Sequence, residues 1–135
     1  MPVNRVIDKL AYIHILNRRI LITRSRGKGV YYIPGGKREI GESDHEALIR
    51  EVSEELNVHL KLDTIEYAGT FEAQADGKPE GVIVKMTCYR GDYDGELSPA
   101  SEIEEIDWFS YQDKNRTSAV DHIIFDWLKG EDWID

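Results

Sequence analysis

A chain of 135 residues, 41% apolar and 32% charged, suits one compact domain over residues 1–135. It is too apolar to stay disordered and has no run near the ~18–20 apolar residues of a membrane span. With 17 basic against 26 acidic side chains, the net charge of −9 disfavours long DNA or RNA as partner and asks that any phosphate-bearing ligand be met by a local basic patch or by cations. The single cysteine, Cys88, excludes an internal disulfide framework, and Met1 to Arg5 lack the apolar core of a signal peptide, so a cytoplasmic protein is expected.

Val6 to Leu16 alternates loosely and ends in an apolar run. Asn17-Arg18-Arg19 interrupts before Ile20 to Thr23, which predicts a hairpin of two strands. Arg24 to Gly29 reads as a basic loop, and Val30 to Ile33 as a short strand stopped by Pro34-Gly35-Gly36. Ser43 to Leu56 is predicted as a helix, because Ser43 and Glu46 form a capping-box pair and Asn57 tolerates the left-handed conformation of a helix stop. Val58 to Phe71 is one long or broken strand, Asp76 to Gly81 a turn, Val82 to Arg90 a strand, Gly91 to Gly95 a turn and Ile106 to Phe109 a short strand. Val120, Ile123, Ile124, Trp127 and Leu128 share a helical face, so Ser118 to Lys129 should be an amphipathic helix. The order predicts an α/β (α+β) domain with helices packed on a sheet.

The helix from Ser43 carries the chemistry. At ~100° per residue, Leu48, Val52, Leu56 and Ile49 form one apolar arc, and Glu54, Glu51 and Glu55 follow beside it at roughly 120°, 180° and 220° from Glu42. Carboxylates crowded at the border of a buried face repel one another, and a hard divalent cation with a preference for oxygen ligands removes that penalty. Arg50 lies next to these acids and can brace one of them, while Gly35-Gly36 lets the backbone approach the helix. Acidic helix faces alone are more often merely solvated. It is the complete spacing that changes the reading.

From Gly36, five residues lead to Glu42, and seven more lead to Arg50-Glu51-Val52-Ser53-Glu54-Glu55-Leu56-Asn57-Val58. This string resembles the Nudix box, G-x5-E-x7-R-E-U-x-E-E-x-G-U with U a bulky apolar residue. Eight of its nine specified positions match, and Asn57 replaces the family glycine. Tyr32-Ile33-Pro34 before the box and the Glu102 to Phe109 segment also resemble that family, whose fold is a mixed sheet sandwiched between helices.

The resemblance implies hydrolysis of a phosphoanhydride in a nucleoside diphosphate linked to another moiety: a nucleoside triphosphate, a nucleotide sugar or a dinucleoside polyphosphate. It further implies Mg²⁺ or Mn²⁺ as cofactor, held by Glu51, Glu54, Glu55 and the Gly36 carbonyl. Arg50 would orient Glu51, and Gly35, Glu42 and Asn57 would keep the loop and helix in place. The general base is left open between a box glutamate and one of Glu96, Glu102, Glu104 and Glu105, with Glu102 favoured. Candidate substrate contacts are Arg24 and Arg26 with Lys28 as a basic island, Tyr31 or Tyr32 as a stacking ring (Tyr32 preferred), and Glu72 at a strand end. His14 is expected as a hydrogen-bonded interior residue, and Cys88 as a packed one. A homodimer remains open. The alternatives are a nucleotide-binding or sensor module that has lost catalysis, and isoprenoid diphosphate isomerisation, whose catalytic-cysteine motif Cys88 does not match.

Overall fold

The computed structural model describes residues 5–135, so all but Arg5 of the leader reading at Met1 to Arg5 lies outside the described residues. The strands are β1 (Arg5–Tyr12), β2 (Ile15–Leu16), β3 (Arg19–Ser25), β4 (Gly35–Gly36), β5 (His59–Leu60), β6 (Glu66–Gln74), β7 (Val82–Arg90), β8 (Tyr93–Asp94) and β9 (Ile103–Phe109). The helices are α1 (Asp44–Leu56) and α2 (Ala119–Gly130). The main sheet runs β4-β1-β7-β6 and is mixed: β1 lies parallel to β7, whereas β4 and β6 are antiparallel to their neighbours. A second, antiparallel sheet runs β2-β3-β9, and β5 with β8 forms a ribbon.

Strand alternation makes two cores. Successive side chains leave a strand on opposite faces, so Leu10, Tyr12 and Leu21 pack with Leu48, Val52 and Leu56 of α1, whereas Ala11, Ile13, Ile20 and Ile22 pack with Ile124, Phe125 and Leu128 of α2. The sheets are thus covered by a helix on each side, as the sequence predicts.

Both ends of α1 match their signals. The Ser43 hydroxyl accepts from the Glu46 N–H at 3.1 Å, the Glu46 carboxylate accepts from the Ser43 N–H at 2.9 Å, and Asn57 closes the helix with φ 57°.

Four expectations need correction. The first two long segments do not form a hairpin with each other. β1 ends at Tyr12 and pairs with β4 and β7, while the hairpin is confined to Ile15–Leu16 and Arg19–Ile20 across Asn17 (φ 52°) and Arg18 (φ 62°). A two-residue turn of that hand fits tightly twisted strands, so the local hairpin and the long-range pairing of β1 divide the segment between them. Second, Arg24 and Ser25 belong to β3, and the basic loop begins at Arg26. Third, Gly35–Gly36 does not stop a strand but pairs with Ala11 and Leu10; Tyr31 and Tyr32 make only isolated bridges. Finally, the buried stripe of α2 is Val120, Asp121, Ile124, Phe125 and Leu128, with Ile123 exposed. The segment from Val58 is indeed broken, into β5, a 3-10 turn at Leu62–Thr64, and β6.

Candidate active site

The three box glutamates are graded in burial, as their angular order on α1 requires. The side chains of Glu54 and Glu51 are 49% and 16% exposed, and residue Glu55, nearest the apolar arc, is 8% exposed. Glu55 receives the Gly35 N–H at 3.0 Å. Burial is nevertheless the larger influence, and together with Glu51, Glu102 and Glu54 it pushes the Glu55 carboxyl up to about 8. Burial raises Glu51 as well, while its contact with Arg50 pulls the other way.

The two glycines make this approach possible. At Gly35 (φ +150°) a Cβ would stand 2.0 Å from the Leu10 carbonyl oxygen. At Gly36 it would stand 2.5 Å from the Glu51 carboxylate. Any side chain at Gly36 would therefore push Glu51 off the backbone on which it rests.

Arg50 is the hub that arranges the acids. It grips Glu42 with two charge-assisted hydrogen bonds, Nε to Oε2 at 2.8 Å and Nη2 to Oε1 at 2.9 Å. It donates to the Lys37 carbonyl at 3.0 Å, to Glu51 at 2.9 Å and to Glu54 at 3.3 Å. Hydrogen bonding to Arg50 leads the fall of the Glu42 carboxyl to about 2. Glu42 also accepts the Glu39 N–H at 2.7 Å, which ties the loop after β4 to α1. The supporting part expected of Glu42 thus has a visible structural form.

Among the described residues no group of three or more His, Cys, Asp or Glu side chains forms a ready-made metal cage. The donor set still fits a hard cation. It is all oxygen, it includes the buried and electrostatically raised Glu55, and it opens beside a glycine whose missing side chain leaves Glu51 room against the backbone. Mg²⁺ characteristically takes one or two carboxylates and completes its shell with water and substrate phosphates, and does not require a closed cage.

Of the later acids, Glu102 is the one whose charge reaches the helix, since it raises both Glu51 and Glu55. It lies just before β9, on a loop stitched to α1 by Ala100 N–H to Glu55 O at 3.1 Å and Ser98 N–H to Leu56 O at 3.0 Å. Glu104 turns to Arg24 at 3.3 Å, and Glu105 accepts a hydrogen bond from the Tyr31 hydroxyl.

A groove leaves the acidic face along the α2 side of β1. Its near part is bounded by Gly35, Gly36, Glu55, Thr23 and Ile103, its far part by Gln74, Asp76, Val84, Ser118 and Val120, and Lys9, Tyr32 and Met86 line both. Tyr32 is 41% exposed there, whereas Tyr31 is buried against Phe109, so of the two tyrosines only Tyr32 presents its ring to the groove.

Other candidate contacts are not brought to the groove. Arg24 is engaged by Glu104 and Glu105, and Arg26 donates to the Ser101 carbonyl at 2.5 Å. Glu72 pairs with Lys85, one residue out of phase with Met86, so it faces the opposite side of the sheet. His14 makes no side-chain hydrogen bond among the described residues. Tyr12, Tyr93 and Trp108 surround it instead, and burial lowers its pKa. Cys88 is buried, as expected.

One groove residue and one buried acid were missed in the sequence. Lys9 interrupts an apolar strand on the groove face. Asp121 lies wholly buried on the inner face of α2, where burial pushes it up to about 7, with the Ile33 N–H at 3.3 Å and the charge of Lys9 acting downward. A carboxylate at helical spacing with Ile124, Phe125 and Leu128 was the available signal.

Comparison with known proteins identifies the family and the fold. The chain is 29% identical over 117 residues to an ADP-ribose pyrophosphatase of Methanocaldococcus jannaschii, covering 84% of this chain and 67% of that one. The solution structure of the E. coli ORF135 protein superposes with a TM-score of 0.73 at 24% identity, over 95% of this chain and 94% of the other. A bifunctional NMN adenylyltransferase/ADP ribose pyrophosphatase from Francisella tularensis, complexed with AMP and Mn ion, superposes with a TM-score of 0.67 at 22% identity, over 97% of this chain and 42% of the other. The NUDIX domain model matches residues 9–128, and the chain therefore belongs to the NUDIX family, as a pyrophosphohydrolase.

Proposed function

We propose that this chain hydrolyses a phosphoanhydride in a nucleoside diphosphate linked to another moiety, with Mg²⁺ or Mn²⁺ held by Glu51, Glu54, Glu55 and the Gly36 carbonyl. The observation that carries this is the buried-edge acid face of α1, braced by Arg50 and resting against Gly35 and Gly36. The relative named for ADP-ribose hydrolysis and the neighbour complexed with AMP and Mn ion support the substrate class and the cation.

When bound, the cation offsets the diphosphate charge and makes water a better nucleophile. The protein's own part is positioning. Arg50 holds Glu51 and Glu54 toward one side of α1, Gly35 fixes Glu55, and Tyr32 offers a flat face in the adjoining groove. Glu51 and Glu102 are the two carboxylates proposed to accept the proton of the attacking water.

Domain extent follows the same reading: one catalytic domain over residues 1–135. A cytoplasmic setting is part of the same proposal; among the described residues no helix is long and apolar enough to cross a membrane.

The test is a panel of nucleoside triphosphates, nucleotide sugars, ADP-ribose and dinucleoside polyphosphates with Mg²⁺ or Mn²⁺, with product mapping. Release of a nucleotide from at least one member, abolished by chelation, is the expected result. Binding without turnover across the panel would instead identify a sensor that kept the fold.

A further inference from the structure

The far groove contains a charged group that the hydrolytic chemistry does not use. Lys9 sits half-buried on β1, in register with Met86, between Ile7 and Ala11 on the face that lines the groove. Its surroundings are largely apolar: Ile7, Val84, Met86, Val120 and the Tyr32 ring. Lys61 and Lys114 are paired with Asp94 and Asp126 at 3.3 and 2.8 Å, whereas among the described residues no carboxylate makes a salt bridge to Lys9, and the wholly buried Asp121 meets it only through its longer-range charge. The other charged lining groups are differently placed: Glu55 borders only the near part of the groove. Lys78 is on the exposed turn, and Asp76 accepts the Ala119 N–H at 3.1 Å.

An ammonium offers three donors and no acceptor. A ligand that fills this groove strips water from Lys9, and must replace it with an acceptor or leave a desolvated charge unpaired. Apolar walls and an exposed tyrosine ring suit a flat heterocycle rather than a second phosphate, whose place is beside the acids of α1. Bases fall into two classes at the edge in question. At C6 of a purine or C4 of a pyrimidine, guanine, hypoxanthine and uracil carry an exocyclic oxygen, which accepts, whereas adenine and cytosine carry an amino group there, which donates and would meet Lys9 donor to donor.

We infer that Lys9 is a specificity-determining residue that donates to the exocyclic oxygen of the substrate's base, so that the site prefers keto bases over amino bases. The inference rests on the nucleotide reading of the site above, but its test does not depend on turnover.

Equilibrium binding is measured by titration calorimetry in Mg²⁺, using the α,β-methylene diphosphates of guanosine, adenosine, uridine and cytidine, in which the bridging oxygen is replaced. The guanosine compound should bind about tenfold or more tighter than the adenosine one, and the uridine compound similarly tighter than the cytidine one. Lys9→Met, nearly equal in length and apolar, should bring each pair within about twofold. Lys9→Gln, which can donate or accept, should do the same and serves if the methionine variant does not fold.

Equal affinities for all four in the wild type would overturn the inference, and so would absence of binding. Uniform weakening of all four in Lys9→Met would overturn it too, by showing a contact to phosphate. If the preference appears while the matching cleavable nucleotides are not hydrolysed, Lys9 keeps its part and the hydrolytic reading fails alone.

Discussion

The two ends of the groove are built on opposite principles. At the near end, four carboxylates and one guanidinium come from a single helix and the loop leading into it: Arg50 joins Glu42, Glu51 and Glu54 by contacts between 2.8 and 3.3 Å, and Glu55 beside them accepts the Gly35 N–H at 3.0 Å. At the far end Gln74, Val84 and Val120 join Lys9, Tyr32 and Met86, which reach into both parts; these residues arrive from separate elements, and the walls are mostly apolar. One end concentrates charge, which serves phosphate chemistry. The other presents shape and few polar groups, which suits recognition of a less charged moiety. If that division holds, substitutions at the near end should act mainly on turnover, and those at the far end on binding.

The largest effect is expected where the division is sharpest. Glu51→Gln or Glu55→Gln should each lower kcat by about 10²-fold or more at saturating Mg²⁺, with little change in far-ultraviolet circular dichroism. Turnover equal to wild type in both variants would remove the acid face from the mechanism.

Arg50→Lys tests whether the web positions these acids or only neutralises them. Lysine keeps the charge but cannot grip Glu42 through two nitrogens while also reaching Glu51 and the Lys37 carbonyl. A fall in kcat of about tenfold is expected, with the metal concentration for half-maximal rate shifted upward as a positioning role requires. A change in thermal stability with no shift in metal dependence would make Arg50 a fold residue only.

The same division explains what could be read in the sequence. Angular order on one helix follows from 3.6 residues per turn, so the graded burial of Glu54, Glu51 and Glu55 was legible, as were the Ser43 cap and the Asn57 stop. The long-range pairing of β1 with β7 was not. The apolar run from Tyr12 to Leu16 is equally compatible with a local hairpin, and only the contacts of Tyr12 with Pro34 and of Ile13 with Tyr89 decide where β1 ends. Strand phase was the second obstacle. Placing Glu72 in the groove required knowing its register against Lys85, and one residue of phase puts it on the other face. The basic island failed for a related reason, since Glu104 and Glu105 return on β9 beside Arg24 from 80 residues away.

At the far end the expected effects are smaller and fall on KM. Tyr32→Ala should raise KM several-fold while kcat stays within about twofold, because a stacking face contributes on the order of 1–3 kcal/mol per base at most. Glu72→Gln, on the opposite face, should change kcat/KM by less than about twofold. Steady-state kinetics on whichever nucleotide is hydrolysed fastest measures both. Equal sensitivity at the two positions would mean that the substrate does not follow the groove.

The smallest effect is one of stability, and it asks what the acid face costs the fold without a cation. Glu55 is raised from 4.5 to about 8, chiefly by burial. The folded protein therefore holds a proton that the unfolded chain gives up, so this contribution to stability is complete below about pH 4.5 and is lost as pH rises through 8. Asp121, raised from 3.8 to about 7 by burial, acts with the same sign over a lower window. In chelator, the wild-type Tm should fall across this range. Glu55→Gln should remove the upper part of the fall, melting roughly 5 °C above wild type at pH 8 and level with it at pH 4. Added Mg²⁺ should close most of the gap at pH 8 by stabilising only the ionised wild type, because a cation binding among these carboxylates favours the charged form that burial opposes. Parallel melting curves at every pH would mean that Glu55 ionises without penalty, and that the near end is solvated rather than poised for a cation.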